Sequence, residues 1–178
     1  MNVRTIINSL AGLNTASSDV AQIWFMQTCT AEKWCAKMVE QRPFSNIAAL
    51  TTQADEQWRK MTRPDFIQAF KGHPMIGDLR TLRQKFASTK AIASDEQSGT
   101  QSASESTLLS LQKMNREYVN KHGFIFIICA SGLSAEAMLN ELEIRLPNST
   151  NTEIEKAAQE QIKITLLRIK KAFDGAIA

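Results

Sequence analysis

A histidine stands directly before a proline in the run Gly72-His73-Pro74-Met75-Ile76-Gly77-Asp78. Proline disfavours helical geometry at the preceding residue, so His73 is expected in a turn between two helices. An imidazole held there titrates near neutrality and can move a proton. The same placement also suits a ring hydrogen-bonded to a backbone carbonyl. A second candidate lies in Ser94-Asp95-Glu96-Gln97. Ser-x-x-Gln fits a capping box with exposed acids; turned inward instead, Glu96 would keep its proton through burial or an anionic neighbour. The third candidate is Arg168. At about 100° per residue, Lys156, Lys163 and Lys170 share one side of a C-terminal helix with Glu160. Arg168 falls on the other side, among Ala157, Gln161, Ile164, Thr165 and Ala172. A guanidinium there needs an anion, either a carboxylate of the protein or a bound ligand, and its planar fork suits both.

The elements that must hold these groups follow a helical period. Asn14 to Thr28 carries Val20, Ile23, Trp24 and Met26, with Ser17 and Ser18 as candidate N-caps. Ala31 to Glu40 forms the next helix, broken by Arg42-Pro43-Phe44, and Ser45 is expected to cap one through Ile47, Leu50, Ala54 and Trp58. Pro64 opens a short helix that Gly72 stops. Further helices are expected over Ile76–Phe86, through Leu108 to Tyr118, and through Met138 and Leu142. Thr150-x-x-Glu153 reads as a capping box for a last helix, Thr152 to Phe173. One run departs from the pattern. Gly123-Phe124-Ile125-Phe126-Ile127-Ile128 is rich in β-formers but has no partner strand, so it is either buried helix or an extended segment whose backbone groups bond elsewhere, a ligand included.

With 178 residues, 43% hydrophobic and 22% charged, the chain has the composition of one ordinary globular domain. The longest apolar run is far too short to cross a bilayer. The first residues lack the apolar core of a secretory leader, and the last three are no peroxisomal address. Cys29, Cys35 and Cys129 sit in apolar settings and are expected as reduced thiols of a cytoplasmic protein. Two histidines without a CxxC or HxxxH pattern argue against a metal site. The net charge of +3 is mild and dispersed, which argues against nucleic-acid binding.

Taken together these segments resemble the 2-oxo-4-hydroxy-4-carboxy-5-ureidoimidazoline (OHCU) decarboxylases. The resemblance runs through Leu13-Asn14, Cys29 with Trp34, Arg42-Pro43-Phe44, Ala69-Phe70-x-x-His73-Pro74-x-Ile76-Gly77-Asp78 and Glu96-Gln97-Ser98-Gly99. It continues through Asn115-x-x-Tyr118, Gly123-Phe124-x-Phe126, Arg145-Leu146-x-Asn148 and Leu167-Arg168-Ile169. Their order and spacing are specific where each dipeptide alone is not. The resemblance implies an all-α fold over residues 1–178: a single-domain compact helical bundle, a short extended segment at the active-site cleft, and often a homodimer. It makes His73 and Glu96 the catalytic pair and puts Gln97 and Arg168 on the substrate. Pro74, Ala93, Ser94, Phe126, Ile127 and Ile128 would surround the ring. Two departures stand out: Ala93 where relatives often carry serine, and Ile125 where some carry proline.

The implied substrate is a small anionic ureidoimidazoline, and the reaction needs no cofactor. Loss of CO2 from C4 leaves an electron pair that moves toward the adjacent C5=N bond. The 4-hydroxyl then becomes a carbonyl, and protonation of C5 on one face gives (S)-allantoin. On this reading His73 engages the 4-hydroxyl and shuttles its proton, Glu96 bonds ureido or ring nitrogens, and Arg168 steadies developing negative charge. Two rivals predict other behaviour. A non-catalytic helical interaction module would expose a large apolar patch; a related enzyme for another small ureido compound would ignore OHCU.

Overall fold

The computed structural model describes residues 7–73, 83 and 104–173, and among these the regular structure is all helix, with no strand. They fall into two compact units, residues 7–72 with 158–173, and residue 73 with 83 and 104–157. No helix of the described residues is long and apolar enough to cross a membrane.

In the first unit, Ser17 caps a helix distinct from the one before it. The expected Asn14–Thr28 helix is therefore two, α1 (Leu10–Thr15) and α2 (Ser18–Met26). Ser17 accepts a bond from the Val20 amide, which turns the chain between them. Helix α3 (Glu32–Glu40) packs against α2, α4 (Ile47–Trp58) and α5 (Arg63–Lys71). Asn46, not Ser45, caps α4: its Oδ1 accepts from the Ala49 amide at 2.8 Å. The core is aromatic. Phe25 meets Trp24, Trp34 and Phe44 edge to face, with ring centroids 5.1, 5.8 and 6.5 Å away. Two of the buried indoles find carbonyls, Trp34 Nε1 donating to Ala54 O at 3.0 Å and Trp58 Nε1 to Ala158 O at 2.9 Å.

Two fragments of the family pattern meet here. Arg42 Nη1 donates to the carbonyls of Leu13 and Ala16, at 2.8 and 2.7 Å, filling acceptors that the end of α1 leaves open. Asn14 and Phe44 bond reciprocally, side-chain amide to backbone, at 2.8 and 2.9 Å.

The second unit is built from α6 (Glu105–His122) packed on α7 (Ala135–Arg145). Helix α8 (Thr150–Phe173) gives this unit residues 150–157 and gives the first unit the remainder. Gly123 ends α6 at φ +78°, a left-handed conformation that glycine adopts without penalty. The chain then runs non-helical from Gly123 to Ser134, so the β-rich run is an extended segment and not buried helix. The helix expected over Ile76–Phe86 lies outside the described residues except at Arg83, which is helical.

Gly72 ends α5 for a different reason from Gly123. Its backbone is right-handed, φ −76°, so any residue fits its angles. A Cβ there would overlap Thr30 Oγ1 and Cγ2 and lie 2.9 Å from Thr30 Cβ. Thr30 Oγ1 meanwhile donates toward Gln68 O and Ala69 O, tying the end of α5 just ahead of His73. Gly72→Ala should therefore cost about 1–3 kcal/mol through overpacking. Thr30→Ala in the same chain should make the double variant less destabilised than the sum of the singles, as read from urea midpoints.

Candidate functional site

His73, half-buried, lies in a bend immediately after α5, as a residue before proline should. Pro74, Ala93, Ser94, Glu96 and Gln97 lie outside the described residues. The remaining predicted groups occupy two places, one in each unit.

In the first unit Arg168 sits half-buried on the inner side of α8. Ala157, Gln161 and Thr165 of that side are buried, and Lys156, Lys163 and Lys170 are exposed. The stripe is as the spacing predicts. Arg168 Nη1 donates to Thr28 O at 3.0 Å, a backbone partner that sequence reasoning did not weigh. The guanidinium lines a cavity of about 250 Å³ with Ile7, Trp24, Lys171 and Ala172. Trp24 is steadied there by the Phe173 ring, 5.3 Å away. An indole wall with two cations suits a flat anion. Nearby thiols offer no nucleophile: burial pushes Cys29 up to about 11, and Cys35 higher still.

In the second unit Phe126 and Ile127 are buried and Ile128 is half-buried. Their neighbour is a charged cluster that the sequence pattern concealed. Glu153 is not half of a capping box. Ser149 caps α8, its hydroxyl accepting from the Thr152 amide at 3.2 Å, and the helix begins at Thr150 rather than Thr152. Glu153 is fully buried and accepts three hydrogen bonds, from Tyr118 Oη at 2.6 Å and Arg145 Nε at 3.0 Å on Oε2 and from Asn148 Nδ2 at 2.7 Å on Oε1; Arg145 Nη2 lies 2.9 Å from Oε2 as an ion pair, outside hydrogen-bond geometry. The third guanidinium nitrogen, Arg145 Nη1, donates to Ile127 O at 2.9 Å. Arg145 also lies 4.5 Å over the Phe126 ring. Burial alone would raise the Glu153 carboxyl, but the Asn148, Tyr118 and Arg145 donors outweigh it and hold the group below the ordinary range. Burial, then the bond to Glu153, pushes the Tyr118 phenol up.

One signal for this cluster was present in the sequence. Glu153 shares the stripe of Ala157, Gln161 and Thr165 at successive i+4 steps. A capping-box pattern at its position gave it another explanation.

The whole-chain comparisons bear on what such a scaffold is for. The model of the OHCU decarboxylase family matches residues 14–170. The chain belongs to the OHCU decarboxylase family. It is 34% identical over 145 residues to the uric acid degradation bifunctional protein TTL of Arabidopsis thaliana, covering 82% of this chain and 45% of that protein. It is 25% identical over 143 residues to the OHCU decarboxylase of Haloferax volcanii, covering 80% of this chain and 82% of that one. A solved structure of OHCU decarboxylase in the presence of (S)-allantoin superposes with TM-score 0.68 at 31% identity, over 89% of this chain and 99% of that chain. The chain spans less than half the length of the bifunctional relatives, 45% of the plant protein and 27% of a Bacillus one. The expected all-α class is that of this family.

His122 adds a pH-sensitive group to this family scaffold. It is buried, bonds Thr150 Oγ1 through Nδ1 at 3.2 Å, and lies 4.5 Å from the Tyr118 ring. Its Nε2 is buried with no hydrogen-bond partner among the described residues. Burial, opposed by the Glu153 charge, lowers its pKa below 6.5. Below pH 6.5 the unfolded chain therefore binds a proton that the folded chain refuses, and stability falls until the folded-state pKa is passed. Glu153, also lowered, begins its loss further down, from about 4.5. Urea midpoints should drop as pH falls from about 7 to 5, and His122→Gln should flatten that drop while leaving the steeper acid limb.

Proposed function

We propose that this protein decarboxylates OHCU to (S)-allantoin in urate degradation, without a cofactor. The observation that carries the reading is a guanidinium, Arg168, at the wall of an indole-lined cavity in a chain matched by the family model over residues 14–170. Relatives bearing the OHCU decarboxylase name and the allantoin-associated structure support it.

The chemistry follows from the substrate's own bonds. When the C4–carboxylate bond breaks, CO2 leaves and its electron pair forms the C4=C5 bond as the C5=N electrons move to nitrogen, which takes a proton. The resulting enol becomes the C4 amide carbonyl as its proton departs and C5 is protonated on one face. His73 takes the hydroxyl proton and returns one; a ring of near-neutral pKa suits both directions. Glu96, held by Gln97, bonds the ureido or ring nitrogens. Arg168 stabilises charge on the ring and ureido oxygens, and amides of the Phe126–Ile128 segment bind oxygens too. Pro74, Ala93 and Ser94 complete the walls. Residues 1–178 act as one catalytic domain, in a cytoplasmic homodimer whose partner molecule is the small anionic substrate.

Three large apolar side chains, Ile23, Leu109 and Ile144, are 50, 47 and 58% exposed, on α2, α6 and α7. Single exposed residues of this kind are ordinary on a protein surface and do not favour an interaction module.

Optical rotation during urate oxidation tests the activity. Spontaneous decay of OHCU gives racemic allantoin, so added protein should produce an excess of the S form; a racemic product at an unchanged rate would refute the reading. His73→Asn should lower turnover about 10²–10⁴-fold with helicity and melting unchanged. Arg168→Lys keeps the charge but loses the fork. A charged hydrogen bond is worth about 1.5–3 kcal/mol, so KM should rise about ten- to a hundredfold in steady-state assays.

A further inference from the structure

Arg145-Leu146-x-Asn148 and Asn115-x-x-Tyr118 belong to the family pattern, yet the proposed chemistry uses neither. Both surround the segment expected at the substrate. We infer that Arg145, locked by Glu153, is the positioning residue that aims the backbone of residues 126–128 at the substrate. That this backbone faces substrate rests on the proposed function; the clamp rests on geometry alone.

An extended segment without a neighbouring strand has no ladder to fix its peptide planes. Here no strand occurs among the described residues. The planes are fixed instead by Arg145. Its Nε donates to Glu153 Oε2 and its Nη2 is ion-paired with the same oxygen, 2.9 Å away, while Glu153 is itself held by Tyr118 and Asn148. With one nitrogen of a rigid planar group hydrogen-bonded and a second ion-paired to the same oxygen, the direction of the third is set as well. That third nitrogen, Nη1, holds Ile127 O at 2.9 Å. A trans peptide is planar, with its carbonyl and the following amide pointing opposite ways. Pinning the Ile127 carbonyl therefore aims the Ile128 N–H away from Arg145. Phe126, beneath the guanidinium and edge-on to Tyr118 at 5.2 Å, fixes the residue on the other side. The Arg145–Glu153 pair thus sets an amide donor that any oxygen-rich ligand of the segment would meet, without touching the ligand.

The experiment uses the full chain, with OHCU generated in place from urate, and two readouts: amide exchange of residues 124–130 without substrate, and steady-state kinetics well below each variant's melting point. Lysine is a point charge and cannot satisfy Glu153 and the Ile127 carbonyl together. Arg145→Lys should quicken exchange of 124–130 at least about tenfold and lower kcat/KM on the order of 10–100-fold, chiefly through KM. Glu153→Gln, which loosens the guanidinium without removing it, should move both readouts the same way by less, and it serves if Arg145→Lys does not fold. Trp58→Phe removes the bond to Ala158 O and should lower stability while moving neither readout. Unchanged exchange in the variants that fold would overturn the clamp whatever the activity. Quickened exchange with unchanged KM would overturn the positioning role. An inactive wild-type protein would instead sink the proposed function, leaving exchange to judge the clamp by itself.

Discussion

A carboxylate withdrawn from water persists as an anion only where donors replace its hydration shell. Glu153 meets that condition with three hydrogen bonds from three side chains and an ion pair to one of them, and Arg145 meets the matching one with a carboxylate on one side and a peptide carbonyl on the other. Removing one partner of such a buried pair leaves an uncompensated charge, commonly worth about 3–5 kcal/mol. An apolar pair of equal volume can be as stable. Retention of an ionic pair here is understood through direction: a guanidinium specifies where a carbonyl must lie, and a leucine does not. The α6–α7 pair, the left-handed turn at Gly123 and the start of α8 all deliver residues to this one cluster.

The first unit solves a similar problem with neutral acceptors, its backbone carbonyls. The buried indoles of Trp34 and Trp58 each end on a backbone carbonyl, so these large apolar bodies are packed without stranding a polar tip. Arg42 spans the turn after α3 and the end of α1, converting open helix carbonyls into a fixed contact. Arg168 uses the same device at Thr28, one nitrogen anchored on backbone while the group as a whole borders the cavity.

Helix positions were largely legible because burial periodicity is a property of each helix alone. The side of α8 that carries Arg168 and the bend at His73 followed from local rules, a 3.6-residue period and the sterics of proline. Boundaries were less legible where neighbouring residues could do the same job: Asn46 and Ser45 are both good caps, and Ser17 divides what periodicity reads as one helix. Gly72 does stop α5, but because Thr30, far off in sequence, excludes a side chain there and not because its backbone is left-handed. Glu153 was the hardest case. Thr150-x-x-Glu153 satisfies a local motif, while its actual partners, Tyr118 and Arg145, are set by how three helices fold together. The roles of Glu96, Gln97 and Ala93 came from family resemblance, which burial periodicity does not supply.

The first unit is also discontinuous: Arg168 bonds a carbonyl 140 residues earlier, and Phe173 closes on Trp24. On a ribosome, residues 104–157 emerge before that aromatic cluster can be completed. The N-terminal helices must then wait, with part of their apolar surface uncovered, through the synthesis of some hundred residues, several seconds at about 5–20 residues per second. Their local bonds, Asn14 with Phe44 and Arg42 with α1, need nothing made later. Those contacts give the nascent segment a native-like arrangement to hold while its last helix is still being translated.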